Sequence, residues 1–208
     1  MTTLDISTCK EVEDEAFMTF LQKFNEMCNI RYLTMEGLQP DPSRIVEDFG
    51  ETLAKNNRLE VLIMKENKIK WTSYQKFWSS LMPNKTIQKL NLNKTDLSDR
   101  VIEKMGLYLE QQDINLLDLD LSRNFISDEG IKVLSKSLMA NKTLKYLNLR
   151  HNRIREDGYK IFSEYLTENK TLEELSLSEN AISNEGIKHL STFLPHNKTL
   201  KMLEMVKC

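Results

Sequence analysis

Eight leucines, Leu4, Leu33, Leu62, Leu90, Leu119, Leu147, Leu175 and Leu203, stand 28 or 29 residues apart along the 208-residue chain. A period of that length is one strand-and-helix unit copied end to end, and it restricts the chain to a stacked array. Other marks keep the same step. Gly130, Gly158 and Gly186 are 28 residues apart, as are the Asn-Lys-Thr triplets at Asn141, Asn169 and Asn197. The frame is Leu-x-x-Leu-x-Leu-x-x-Asn-x-Ile, as in Leu144, Leu147, Leu149, Asn152, Ile154 and Leu172, Leu175, Leu177, Asn180, Ile182. It extends back through Leu116 and Ile87 to Leu59. Residues 59–199 thus hold five clear repeats. Residues 1–58 hold two divergent ones, framed by Met1, Leu4, Ile6, Cys9 and by Ile30, Leu33, Met35, Leu38, and residues 200–208 open a further copy, all in one domain, 1–208.

Each copy has two halves. Leucines at alternate positions predict a short strand. Apolar residues at helical spacing follow: Tyr74, Phe77, Trp78, Leu81 in one copy, Ile131, Leu134, Leu138 in another, and Ala16, Phe17, Phe20, Phe24 in the first. Ser43, Ser98-Asp99, Ser127-Asp128 and Ser183-Asn184 read as helix caps. Neither half buries its apolar side alone. Stacking joins the strands into a parallel sheet with helices behind it and a leucine ladder between. The frame's Asn is expected to bond backbone in the turn leaving the strand. Ser73, Gly130, Gly158 and Gly186 are expected to let helices approach closely. The Asn of Asn-Lys-Thr is expected to end its helix in a left-handed conformation.

These motifs resemble the ribonuclease-inhibitor-type leucine-rich repeat family over essentially the whole chain. The resemblance implies an α/β solenoid, a horseshoe arc with its parallel β-sheet on the concave face and α-helices on the convex face. The family includes ribonuclease inhibitor, Ran GTPase-activating protein, tropomodulin and leiomodin, innate-immune receptors and axonemal proteins, so it implies a fold rather than a task. No catalytic residue is carried over from any member.

Composition removes several function classes. Lys and Arg number 29 against 31 Asp and Glu, a net charge of −2, which argues against nucleic-acid or anionic-membrane partners. Three cysteines, Cys9, Cys28 and Cys208, form no Cys-x-x-Cys, and no secretory leader pattern is seen, so a cytoplasmic, cytoskeletal or nuclear setting is expected. The Asn-Lys-Thr triplets are accordingly expected to stay unglycosylated. Asp118 and Asp120 on one strand face have no evident third ligand, His151, His189 and His196 form no metal motif, and no phosphate loop or nucleophile motif occurs. No enzyme activity, cofactor or metal is expected.

The function expected is a non-catalytic scaffold binding a protein partner on the concave face. Its footprint would centre on Asp118, Asp120, Tyr146, Asn148 and Arg150 with Lys89 beside them. The competing reading of the charges is lateral pairing, Lys89 with Asp118 and Arg150 with an acidic neighbour, contributing about 0–1 kcal/mol. Trp71 stands at a helix start where other copies have Asp, Asn or Glu. It is either an exposed anchor or packed on Pro42 or a neighbouring helix. The ridge Arg150–Arg155 either meets an acidic protein or phosphate or is a solvated loop. A strand at each end of the chain suggests end-to-end self-association or membership of a longer array. The alternatives are a cytoskeletal component, axonemal or tropomodulin-like and actin-binding, and a Ran-type GTPase-activating regulator.

Overall fold

The computed structural model describes residues 2–9, 14–26, 29–38 and 41–208, so Met1 and Cys28 lie outside the described residues. Strands of three residues alternate with helices: β1 Thr3–Asp5, α1 Asp14–Lys23, β2 Tyr32–Thr34, α2 Pro42–Lys55, β3 Val61–Ile63, α3 Trp71–Leu81, β4 Lys89–Asn91, α4 Asp99–Leu109, β5 Asp118–Asp120, α5 Asp128–Ala140, β6 Tyr146–Asn148, α6 Glu156–Glu168, β7 Glu174–Ser176, α7 Asn184–Phe193 and β8 Met202–Glu204. The strands form one parallel sheet in chain order, β1 to β8. Each central leucine pairs with the next, Leu90 with Leu119 and Leu119 with Leu147 among them.

The two apolar periods meet in one core. Leu62, Leu90, Leu119, Tyr74, Phe77, Trp78 and Leu81 are fully buried. In α1 the inward stripe is Phe17 and Leu21, continuing into Phe24 of a following 3₁₀ turn, while Ala16 points out to solvent. Phe24 meets Phe49 of α2 edge to face at 5.5 Å, and that contact sets the stripe.

Two asparagine ladders close the backbone at opposite rims. At the strand-exit rim, the Asn124 amide donates to the carbonyls of Leu92 at 2.8 Å and Leu121 at 3.0 Å. Its Oδ1 accepts from the backbone of Thr95 and Leu97, both at 3.0 Å. Asn67, Asn152 and Asn180 act alike. Thr95 takes the Asn position in its own repeat, and there the buried Tyr74 hydroxyl donates to Thr95 Oγ1 at 2.5 Å while Thr95 donates to the Leu92 carbonyl. At the other rim, Asn141 Nδ2 donates to the Leu109 carbonyl and Asn169 Nδ2 to that of Leu138. These asparagines are extended, with φ of −66° and −68°, and not left-handed as the sequence suggests. Each still caps its own helix, its backbone N–H bonding the carbonyl of Ser137 or Tyr165, while its side-chain amide reaches back to the preceding repeat.

The left-handed residues lie in the strand-exit turn. Thr8, Gly37, Glu66, Lys94, Arg123, His151, Glu179 and Lys207, one per repeat at the position before the frame's Asn, have φ between 54° and 61°, and the fourth repeat has a second such residue, Asp96, at 58°. The serines also serve neighbours. Ser43 is not the cap of α2, a role taken by Asp41; its Oγ accepts from Lys70 of the next repeat at 2.9 Å. Ser127 donates to the Asp99 carboxylate at 2.5 Å, whereas Ser183 does cap its own helix through the Gly186 N–H. A Cβ at Gly130 or Gly158 would run into the carboxylate of Asp99 or Asp128 from the preceding repeat, so these glycines make room for an inter-repeat bond.

Candidate functional site

Strand residues beside each buried leucine face the open side of the sheet, and parallel in-register pairing lines them up. One row runs Lys89, Asp118, Tyr146, Glu174 and the next Asn91, Asp120, Asn148, Ser176. Neighbours along a row are about 4.8 Å apart at the backbone. Five expected residues, Lys89, Asp118, Asp120, Tyr146 and Asn148, therefore lie together on three adjacent strands. Arg150 follows β6 at the rim of the same surface. Trp71 is elsewhere: it begins α3, is 42% exposed, and lies 5.6 Å below the Arg100 guanidinium of α4.

The charges pair laterally. Lys89 Nζ meets Asp118 Oδ2 at 2.6 Å, and Arg150 meets Glu179 at 2.7 Å. Asp120 accepts from the Ser122 backbone at 2.9 Å and from Asn91 Nδ2 at 3.3 Å. Asn148 Oδ1 accepts from the Arg150 N–H at 3.0 Å. Glu179 also meets His151 at 3.2 Å, and its two basic partners, Arg150 foremost, hold its carboxyl down to a pKa of about 2. Arg150 is held even more firmly protonated than usual by the same bond. Both aspartates are committed within the sheet, and among the described residues no group of three His, Cys, Asp or Glu is arranged to hold a metal.

The two middle rows divide by chemistry. From β5 to β8 they carry Asp118, Asp120, Glu174 and Glu204 with no Lys or Arg, around the exposed rings and thioether of Tyr146 and Met202. From β1 to β4 they carry Tyr32, Val61 and Ile63, with charges at Asp5 and Lys89 only. A shallow hollow of about 190 Å³ lies between Asp118, Tyr146, Glu174 and Met202.

A second feature escaped the sequence reading. Phe125, 41% exposed, carries the Arg153 guanidinium 4.5 Å above its ring. The signal was available: both occupy the position between the frame's Asn and Ile, 28 residues apart.

The model for the Leucine Rich repeat matches residues 112–135, 140–160 and 168–191. Human NLR family CARD domain-containing protein 3 is 34% identical over 61 residues, which are 29% of this chain and 6% of that protein's length. Among solved structures, a leiomodin-1 fragment named as Actin-Binding Site 2 covers 76% of this chain and 91% of its own at a TM-score of 0.59 and 19% identity. The tropomodulin C-terminal domain of Caenorhabditis elegans covers 75% and 93% at 0.55 and 15% identity. An internalin of Listeria monocytogenes covers 100% and 55% at 0.52 and 16% identity. At such identities the likeness is one of fold. Among the described residues no helix is long and apolar enough to cross a membrane.

Proposed function

We propose that this chain, a leucine-rich-repeat protein of the ribonuclease-inhibitor type, is a non-catalytic scaffold that binds a protein partner on the inner face of its sheet. The observation that carries the reading is the in-register surface itself: eight strands hold their outward side chains in fixed rows, with Tyr32, Val61 and Ile63 on β2 and β3 and an acidic stretch from β5 to β8. A rigid surface of this kind loses little conformational entropy on binding. Tyr146 is the natural anchor, since Tyr is favoured where binding energy concentrates. Asp118, Asp120, Asn148, Arg150 and Lys89 set polarity around it. The acidic rows suit a partner segment carrying basic side chains.

A photo-crosslinking residue at Tyr146 tests this against one at Lys132, on the outer face of α5. Expected are partner adducts from position 146 that disappear in Asp118→Lys/Asp120→Lys. Adducts at equal yield from both positions, or adducts indifferent to the charge reversal, would overturn the reading. A cytoskeletal role is the second reading. It draws on the leiomodin-1 fragment being named for actin, and co-sedimentation with actin filaments decides it: pelleting lost on the same charge reversal would make actin the partner.

A further inference from the structure

We propose that the strand-exit rim of the fourth to sixth repeats is a second docking surface, and that it takes an acidic segment of a protein partner. Lys94, Arg123 and His151 occupy the same turn position in successive repeats, with φ of 54°, 56° and 54°. Left-handed backbone is costly for a side-chain-bearing residue, and Gly37 shows that the turn accepts glycine. Beside them lie Phe125 and Arg153. The five side chains line a cleft of about 240 Å³ without a carboxylate among its lining residues.

Part of the charge here is paired internally and part meets no acid. Lys94 has a partner in Glu66 at 3.3 Å and His151 in Glu179. Arg123 forms no ion pair among the described residues, and Arg153 stacks on Phe125 rather than meeting an acid. Two available guanidinium groups around an exposed ring fit a short run of carboxylates with an apolar residue between them: the guanidinium forks bind carboxylate, and the ring covers the apolar side chain. Nucleic acid is the poorer fit. Its long line of phosphates would extend from the rim toward the acidic rows of β5–β8, and a protein of net charge −2 offers too few cations for it. This surface is distinct from the inner face and does not depend on it.

The test is a fluorescence-anisotropy titration of the full chain against a fluorescein-labelled peptide of alternating glutamate and leucine, with an alternating lysine–leucine peptide alongside. Saturable binding of the glutamate peptide alone is expected, weakened about tenfold or more in Arg123→Glu/Arg153→Glu and severalfold in Phe125→Ala. Arg123→Gln/Arg153→Gln, which adds no new charge, should fall between wild type and the reversal. Lys132→Glu/Lys136→Glu makes the same change in net charge on the outer helix face and should leave binding unchanged. Thermal melts confirm that each variant is folded. Absence of saturable binding overturns the proposal, as does equal weakening by the outer-face variant. It also fails if a DNA oligonucleotide displaces the peptide at lower concentration than the unlabelled peptide does.

Discussion

At the scale of single residues, the polar side chains that matter most act across repeats. Asp99 opens α4, yet its carboxylate accepts from the backbone N–H and the hydroxyl of Ser127 one repeat later, at 2.8 and 2.5 Å. Gly130 leaves the space that this carboxylate fills. Gly130→Ala should therefore cost about 1–3 kcal/mol, by displacing a partly buried carboxylate from its two donors. Asp99→Ala should cost a similar amount. The double variant should cost clearly less than the sum, because each change destroys the same bond. Urea unfolding of the four proteins measures the cycle, and strict additivity would contradict the shared origin. Gly186 supplies the contrast. Its would-be Cβ meets Ile182 and Tyr159 rather than a carboxylate, so Gly186→Ala should show no coupling to Asp128→Ala, more than one repeat away.

At the scale of the element, strand and helix fix opposite requirements on adjacent segments. Leu147 sits in the middle of β6, 2% exposed, with Leu119 and Leu175 on either side in the ladder. Leu147→Asp places a carboxylate where no donor is available and should cost several kcal/mol. Lys132 is exposed on α5, and Lys132→Asp should shift stability by no more than about 0.5 kcal/mol. Equal unfolding midpoints for the two variants would contradict the register. This register was legible in the sequence because leucine alternation and helical spacing are sampled in every copy, and stacking leaves them one solution. The helix stripes of α3 and α5 fell where spacing put them; Ala16 did not, because its small side chain carries little apolar drive against Phe17 and Leu21. What stayed hidden lies in backbone conformation and in lateral neighbours. Nothing in the letters Lys94, Arg123 and His151 announces a left-handed turn, and only Gly37, at the same position, hints at it. Asn141 and Asn169 do end their helices, but their backbone conformation was misread because their amide groups donate more than a full repeat back, to Leu109 and Leu138. The rows around Asp118, Asp120 and Tyr146 could be written down in advance, whereas Phe125 beneath Arg153 required aligning positions that the leucine frame leaves blank.

At the scale of the whole molecule, elements touch, among the described residues, only those of the same or adjacent repeats. Stability is then a sum of repeats and of the ties between successive ones, with no distant contact to compensate for a lost tie. Several of those ties are lateral ion pairs, and two of the carboxylates in them are held below the ordinary range, Glu173 chiefly by Lys201 and Lys145 and Glu179 chiefly by Arg150. A carboxyl whose folded pKa is depressed favours the folded state fully above its unfolded pKa, about 4.3 for Glu. That contribution declines as pH falls and is gone once pH passes the folded value, about 2 for Glu179. Melting temperature should therefore decline between about pH 4.5 and pH 2. Glu179→Gln removes the largest of these shifts and spares the geometry of the turn. It should melt lower than wild type at pH 7, and the gap should close as pH approaches 2, leaving a shallower acid limb. Because Arg150 and Glu179 are partly open to solvent, salt at high concentration should narrow the pH 7 gap as well. A gap that stays constant from pH 7 to pH 2 would mean that the bond between the sixth and seventh repeats contributes by packing alone, and that charge plays no part in holding those two turns of the array together.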